Sequence, residues 1–317
     1  YKNNLIKKGR KMAEKIGIVG MGLMGQAFIS NMKKSQFIIQ GFDVDPKRMD
    51  DLRAHGGTAV NTPADAAKDV DCVIMSLPNS SIAREAAIGP NGISEGANSK
   101  NLYVCDTTTS RPEDSISLSA ELEKKGIKFL DSAVSGTSVM AQAGDLIIIS
   151  GGKKEDFDAC QSYFSGFSRA AYYMGPVGSG ARTKLVINLI LAGNRLALAE
   201  GLVLGDKAGL EQNNLLEVLK DSAASSKTMI DKGPKMINAD YSKQGQIKTS
   251  LKDNRLMLEQ GQILGSPMLV TSAISQCYQA AFEKGYSEKD TVSFYEILRG
   301  MAGLKEREGI DDVPFGK

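Results

Sequence analysis

The 317-residue sequence is poor in the groups from which many active sites are built: it has one histidine, His55, and four cysteines, Cys72, Cys105, Cys160 and Cys277, with no C-x-x-C pair. A single imidazole excludes a zinc site or a Ser-His-Asp triad on the usual patterns, so His55 reads as an ordinary residue at a helix end. Cys72 and Cys105 fall inside apolar strand-like runs, and the scattered thiols read as reduced core groups of a cytoplasmic protein. No uncharged apolar stretch reaches the roughly 18 residues of a membrane span, which argues against a membrane protein. There is no internal repeat and no low-complexity tract.

A strong charge of either sign is also missing. The net charge is +2, and it falls to −3 when the five cations Lys2, Lys7, Lys8, Arg10 and Lys11 are set aside. A basic surface for nucleic acid is therefore not implied. Those cations precede any periodic pattern, and Met12 stands just before the first strand. Residues 1–11 are accordingly expected to be a non-native or disordered arm, with Met12 as the native start.

What is present has a clear rhythm. From residue 16 to about 174, apolar runs (Phe37 to Phe42, Val70 to Leu77, Leu102 to Cys105, Ile127 to Leu130, Leu146 to Ile149, Ala171 to Met174) alternate with amphipathic stretches. That alternation predicts β-α-β units and a parallel sheet covered on both faces. The run Gly175 to Gly180 ends the pattern, and beyond it the spacing is helical, beginning with a long apolar helix over 181–208. The expectation is an α/β fold: a doubly wound, Rossmann-type domain over 12–176 and an all-helical substrate and oligomerisation domain over 177–317. The long helix suits an interface between domains or subunits and predicts a homodimer or homotetramer.

The first strand breaks into Gly20-Met21-Gly22-Leu23-Met24-Gly25 at a helix start. Gly20 permits the bend, Gly22 lets the backbone approach a pyrophosphate, Gly25 allows close helix-strand packing, and the helix N-terminus attracts the anion. Met21 and Met24 read first as packing around the turn. Asp43, at the end of the second strand, is placed to accept the adenosine ribose hydroxyls and to repel a 2′-phosphate, which favours NAD over NADP. Lys184 and Asn188, one helical turn apart, share a helix face. A buried lysine with a lowered pKa can move the proton of an alcohol, although the spacing alone favours a solvated lysine and an ordinary asparagine. Ser135, Gly136 and Thr137 lie in a small-residue turn after a strand and can offer hydroxyl and N–H donors to a carboxylate; taken alone it is simply a turn.

Together these pieces resemble the β-hydroxyacid dehydrogenase family, the group of 3-hydroxyisobutyrate dehydrogenase and tartronate semialdehyde reductase. The likeness runs from Lys15 over nearly the whole chain: the glycine turn, Leu77-Pro78, Asp106 to Pro112, Asp131 to Gly136, Ala143 to Leu146 with Gly151-Gly152, Gly178 to Asn188, and Lys252-Asp253. It implies Lys184 as catalytic acid/base, Asn188 as substrate anchor and Ser135 to Thr137 as the carboxylate site. It also implies that Leu77, Pro78, Thr109 and Lys252 join the glycine turn in contacting the nicotinamide cofactor, with Asp253 orienting Lys252. The implied reaction interconverts a small 3-hydroxy acid and its semialdehyde with NAD and without a metal. Glyoxylate, succinic or tartronate semialdehyde reduction is the alternative chemistry, and a catalytically idle cofactor-binding scaffold is the alternative class. Thr137 and Ile187 depart from the family pattern, which bears on substrate preference. An imine reductase would carry another residue at Lys184, and a sugar-phosphate decarboxylating relative would need a longer helical half.

Overall fold

The computed structural model describes residues 14–99, 101–305 and 307; the expected arm over 1–11 and the start at Met12 lie outside the described residues. The chain divides into two compact units between Arg182 and Thr183. That division falls inside the long helix, Ser179–Lys207, whose first turn is tied to the sheet. Buried Asp131 accepts the N–H groups of Gly178 (3.1 Å) and Ala181 (2.7 Å). Its carboxylate satisfies donors that a helix N-terminus leaves without partners.

The first unit is built on one eight-stranded sheet: β1 (Lys15–Val19), β2 (Ile38–Phe42), β3 (Thr58–Ala59), β4 (Cys72–Met75), β5 (Tyr103–Asp106), β6 (Lys128–Ser135), β7 (Ile147–Gly151) and β8 (Ala170–Tyr173). The order is β3-β2-β1-β4-β5-β6-β7-β8, a doubly wound arrangement in which the chain crosses from one side of β1 to the other between β3 and β4. Two apolar cores cover the faces. Ile16, Ile18, Phe28, Ile39, Ile74 and Phe164 pack in one, and Val19, Val73, Met75, Val104, Leu118 and Phe129 in the other. The alternate residues of β1 and β4 thus face opposite layers, which is why these strands read as continuous apolar runs.

One expectation needs correction: the sheet is not wholly parallel. Strands β6 and β7 pair antiparallel, with Asp131 opposite Gly151 and Ser135 opposite Ile147. Their connection holds only the six-residue helix Ser138–Ala143, too short to carry the chain back across a face for a parallel return. The two-residue strand β3 at the sheet edge also has no apolar run to announce it.

The second unit is helical, as expected, with an isolated bridge between Gln246 and Asp290 as its β pairing among the described residues. Its core gathers Leu198, Ala199, Leu202, Met236, Leu251, Ile274, Tyr278 and Phe294 from the long helix, Lys227–Ile237, Ile247–Leu264, Leu269–Ala281 and the 3-10 turn Thr291–Phe294. Among the described residues the long helix is the segment long and apolar enough, by length and composition, to cross a membrane. Its longest uncharged run is Leu185 to Asn194, bounded by Lys184 and Arg195, and Leu198, Ala199 and Leu202 are core residues of this unit.

Candidate active site

In the first unit the site grows from the end of β1. Gly20 has φ +91°, a left-handed conformation natural to glycine, and a Cβ there would lie 2.3 Å from the Ser76 carbonyl oxygen. Gly25 sits as close to the Gly20 carbonyl, so the helix Leu23–Lys34 starts tightly against the turn. Gly22 is its N-cap, with no side-chain cap and no acid in the first turn, and a Cβ on Gly22 would meet nothing within 4 Å. Uncapped N–H groups opening on free space fit a pyrophosphate. Leu23 is exposed, Met24 half-buried and Met21 fully buried, so Met21 contributes its backbone and packing rather than a ligand-facing side chain.

Asp43 stands just beyond β2, and its carboxylate does more than the sequence suggests. One oxygen accepts the Met21 N–H at 2.6 Å and the other the Asp45 N–H at 2.9 Å. Asp43 therefore pins the glycine turn, and each oxygen keeps a lone pair for a further donor. Nearby Arg48 lies 3.8 Å from both Asp45 and Asp51, in company with carboxylates. Leu77 and Pro78 follow β4, and the Leu77 N–H donates to Thr108 Oγ1 at 3.3 Å, which joins their turn to that of Thr107 to Thr109 after β5. These turns lie at the carboxyl ends of parallel strands, where doubly wound sheets bind ligands.

The turn expected at Ser135 to Thr137 is in part strand. β6 runs through Ser135, Gly136 is exposed at φ +142°, and Thr137 caps the following helix, its Oγ1 accepting the Met140 N–H at 3.3 Å. Only Gly136 and Thr137 form the turn. The Thr137 hydroxyl hydrogen is not spent on the cap, since a cap oxygen accepts.

In the second unit, Lys184 and Asn188 lie one turn apart on the long helix, both half-buried. The Asn188 amide donates to Asp253 Oδ2 at 3.0 Å, and Lys252 Nζ lies 3.0 Å from Asp253 Oδ1. Asp253 thus bridges the two residues, and its side chain retains only 13% of its accessible surface. The Lys184 ammonium is lowered from its ordinary value of 10.5 to about 8, chiefly by loss of solvent; the Asp253 charge opposes the shift, and the Arg195 and Lys252 charges add to it. Arg195 is half-buried and donates to the hydroxyl of fully buried Tyr278 at 2.9 Å, which fixes its charge in the same unit as the lysine.

Residues 15–175 match the model for the NAD binding domain of 6-phosphogluconate dehydrogenase, and residues 178–298 match that for NAD-binding of NADP-dependent 3-hydroxyisobutyrate dehydrogenase. The chain belongs to the β-hydroxyacid dehydrogenase family. It is an NAD(P)-dependent oxidoreductase, a hydroxyacid dehydrogenase by class. It is similar to mitochondrial 3-hydroxyisobutyrate dehydrogenase of Bos taurus, with 34% identity over 92% of this chain and 89% of that one. It is also similar to glyoxylate/succinic semialdehyde reductase 1 of Arabidopsis thaliana, with 30% identity over 90% of this chain and 98% of that one. A solved 3-hydroxyisobutyrate dehydrogenase from Salmonella typhimurium has the same fold, with a TM-score of 0.82 at 22% identity, covering 90% of this chain and 99% of that one.

In this β-hydroxyacid dehydrogenase, His55 caps the helix Pro46–Ala54 and directs Nδ1 to the Asp51 carbonyl at 2.7 Å, away from any chemistry. Among the described residues no group of three His, Cys, Asp or Glu side chains is placed to hold a metal ion. The four cysteines are free, with Cys72, Cys105 and Cys160 buried in the first unit.

Proposed function

We propose that this enzyme oxidises a small 3-hydroxy acid of the 3-hydroxyisobutyrate type to its semialdehyde, reversibly, with NAD. The observation that carries the reading is the placement of half-buried Lys184, its amine lowered to about 8, one helical turn from Asn188, whose amide is held by the Asp253 carboxylate. A lysine at about 8 exchanges its proton with an alcohol far more readily near physiological pH than one at 10.5. Lys184 takes the hydroxyl proton during oxidation and returns it during reduction. Asn188, its amide oriented by Asp253, offers the substrate oxygen a second polar contact. Ser135, the exposed Gly136 backbone and Thr137 receive the carboxylate, with Thr137 donating its hydroxyl and narrowing the space for the substrate's far end. The glycine turn from Gly20 to Gly25, Asp43, Leu77, Pro78, Thr109 and Lys252 would hold the dinucleotide, which when bound supplies the hydride acceptor.

The Asp43 charge supports NAD over NADP, and the carboxylates around Arg48 weaken that residue as a receiver of a 2′-phosphate. The relative named for glyoxylate and succinic semialdehyde reduction keeps those aldehydes as alternative substrates, and the family resemblance adds tartronate semialdehyde. Measuring kcat/KM for 3-hydroxyisobutyrate, glycerate, 4-hydroxybutyrate and serine, and for the three aldehydes, with NAD and NADP in parallel, tests the reading. Preference for 3-hydroxyisobutyrate is expected, with NAD favoured by about tenfold or more, a difference of about 1.4 kcal/mol. No absorbance change at 340 nm with any of them would reject the enzymatic reading in favour of an idle scaffold.

The pH profile follows from the direction of the Lys184 shift. Oxidation needs the neutral amine, so kcat/KM for the alcohol should rise with pH and level off above about 8; reduction needs the ammonium and should fall above the same value. Profiles that are flat from pH 6 to 10 in both directions would remove Lys184 from the proton transfer.

The free thiols support a reducing compartment, and we place the enzyme in the cytoplasm. Val186, Ile190 and Leu204 are exposed along one stripe of the long helix, and a second copy of the chain covering that stripe would make the enzyme a homodimer or homotetramer. Light scattering that returned the monomer mass of 33.9 kDa would refute the assembly.

A further inference from the structure

The carboxylate-binding turn has little to hold it. Thr137 opens a helix of only six residues, Ser138–Ala143, and a helix that short has no stability of its own. Ala141 is its one buried residue and Val139 faces solvent at 58% exposure, so apolar contact fixes the helix at few points. What fixes it further is a polar side chain from elsewhere in the same unit. Asn31, 8% exposed, sits on the helix Leu23–Lys34 that begins at the glycine turn. Its Nδ2 donates to the Ala141 carbonyl at 2.7 Å and to the Ala27 carbonyl at 3.0 Å, both bonds being buried. Gly144, in the left-handed conformation that ends the short helix, donates to the same Ala141 carbonyl, and a Cβ on it would lie 3.7 Å from the Asn31 amide. The two helices therefore meet at a close, specific contact.

We infer that Asn31 is a positioning residue: its amide locks the short helix, and through it Gly136 and Thr137, onto the helix whose first turn forms the phosphate cradle. The inference rests on the proposed reading of Ser135 to Thr137 as the carboxylate site. One helix would then set the place of both the cofactor phosphates, at its N-terminus, and the substrate's carboxylate, two turns further along. A purely apolar contact between the helices would leave the short helix free to rotate; a donated hydrogen bond to one carbonyl does not.

Two variants of the full chain separate the donated bond from the space it fills. Asn31→Leu removes the donor and retains an apolar side chain of similar size. Asn31→Asp keeps the shape but aims an acceptor at the Ala141 carbonyl. In both, amide hydrogen exchange across residues 137–145 is expected to speed up roughly tenfold or more while exchange in β1, β4 and β5 stays at the wild-type rate. NAD affinity should stay within about twofold, and KM for 3-hydroxyisobutyrate should rise about tenfold with kcat and its pH profile little changed. Wild-type exchange across 137–145 in either variant, or acceleration spread evenly over the first unit, would overturn the inference. Wild-type enzyme inert toward 3-hydroxyisobutyrate would instead count against the proposed substrate, and the exchange measurement would still decide the role of Asn31.

Discussion

Lys184→Ala is expected to lower kcat by roughly 10² to 10⁴-fold, the range a general acid/base contributes, while NAD affinity stays within about twofold of wild type. The separation follows from where the groups lie. The glycine turn and Asp43 belong to the first unit, whereas Lys184, Asn188 and Asp253 belong to the second. The residues of the phosphate cradle, Gly20 to Gly25, all belong to the first unit. Lys184→Arg should fare little better: a guanidinium stays protonated at every accessible pH and cannot take the alcohol's proton. Lys184→Met, close in length and uncharged, controls for packing. Steady-state kinetics with a hydroxy acid, paired with NAD titration by fluorescence, would show the effect. Wild-type kcat in the alanine variant would dismiss the proposed chemistry.

Much of this arrangement was legible because its signals are local. The glycine spacing, the alternation of strand and helix, and the single turn between Lys184 and Asn188 depend on neighbours within a few positions. The missed contacts join distant parts of the chain. Asp43 meets Met21 across 22 residues, Asp131 meets Ala181 across 50, Arg195 meets Tyr278 across 83 and Asn31 meets Ala141 across 110. Nothing in the spacing around Asn31 marks it; an asparagine on a helix reads as surface until the short helix lands on it. Lys184 is a similar case. Its place on the helix could be read, but its lowered pKa depends on burial and on the fields of Arg195, Lys252 and Asp253, which folding assembles. The antiparallel return of β7 was hidden for another reason: apolar runs report strands but not their direction, and the short 136–146 connection was the available clue.

The glycine turn makes the second large prediction, because its glycines do different work. Gly25→Ala adds a methyl that helix propensity would welcome by roughly 1 kcal/mol, but the new Cβ would lie 2.3 Å from the Gly20 carbonyl oxygen, a backbone atom with no room to retreat. Relieving that contact means lifting the helix from β1, at a cost of about 1 to 3 kcal/mol typical of overpacking, which exceeds the propensity gain. The variant should melt several degrees lower and, with its turn opened, bind NAD more than tenfold more weakly. Gly22→Ala is the contrasting case. Its φ of −65° suits alanine, and the added Cβ meets no protein atom within 4 Å, so thermal stability should match wild type. Its methyl would occupy space through which the pyrophosphate approaches the backbone, so NAD affinity should fall by tenfold or more all the same. Calorimetric melting and NAD titration of the two variants separate a packing glycine from a ligand-facing one. A Gly22→Ala enzyme that bound NAD as tightly as wild type would place the phosphates elsewhere.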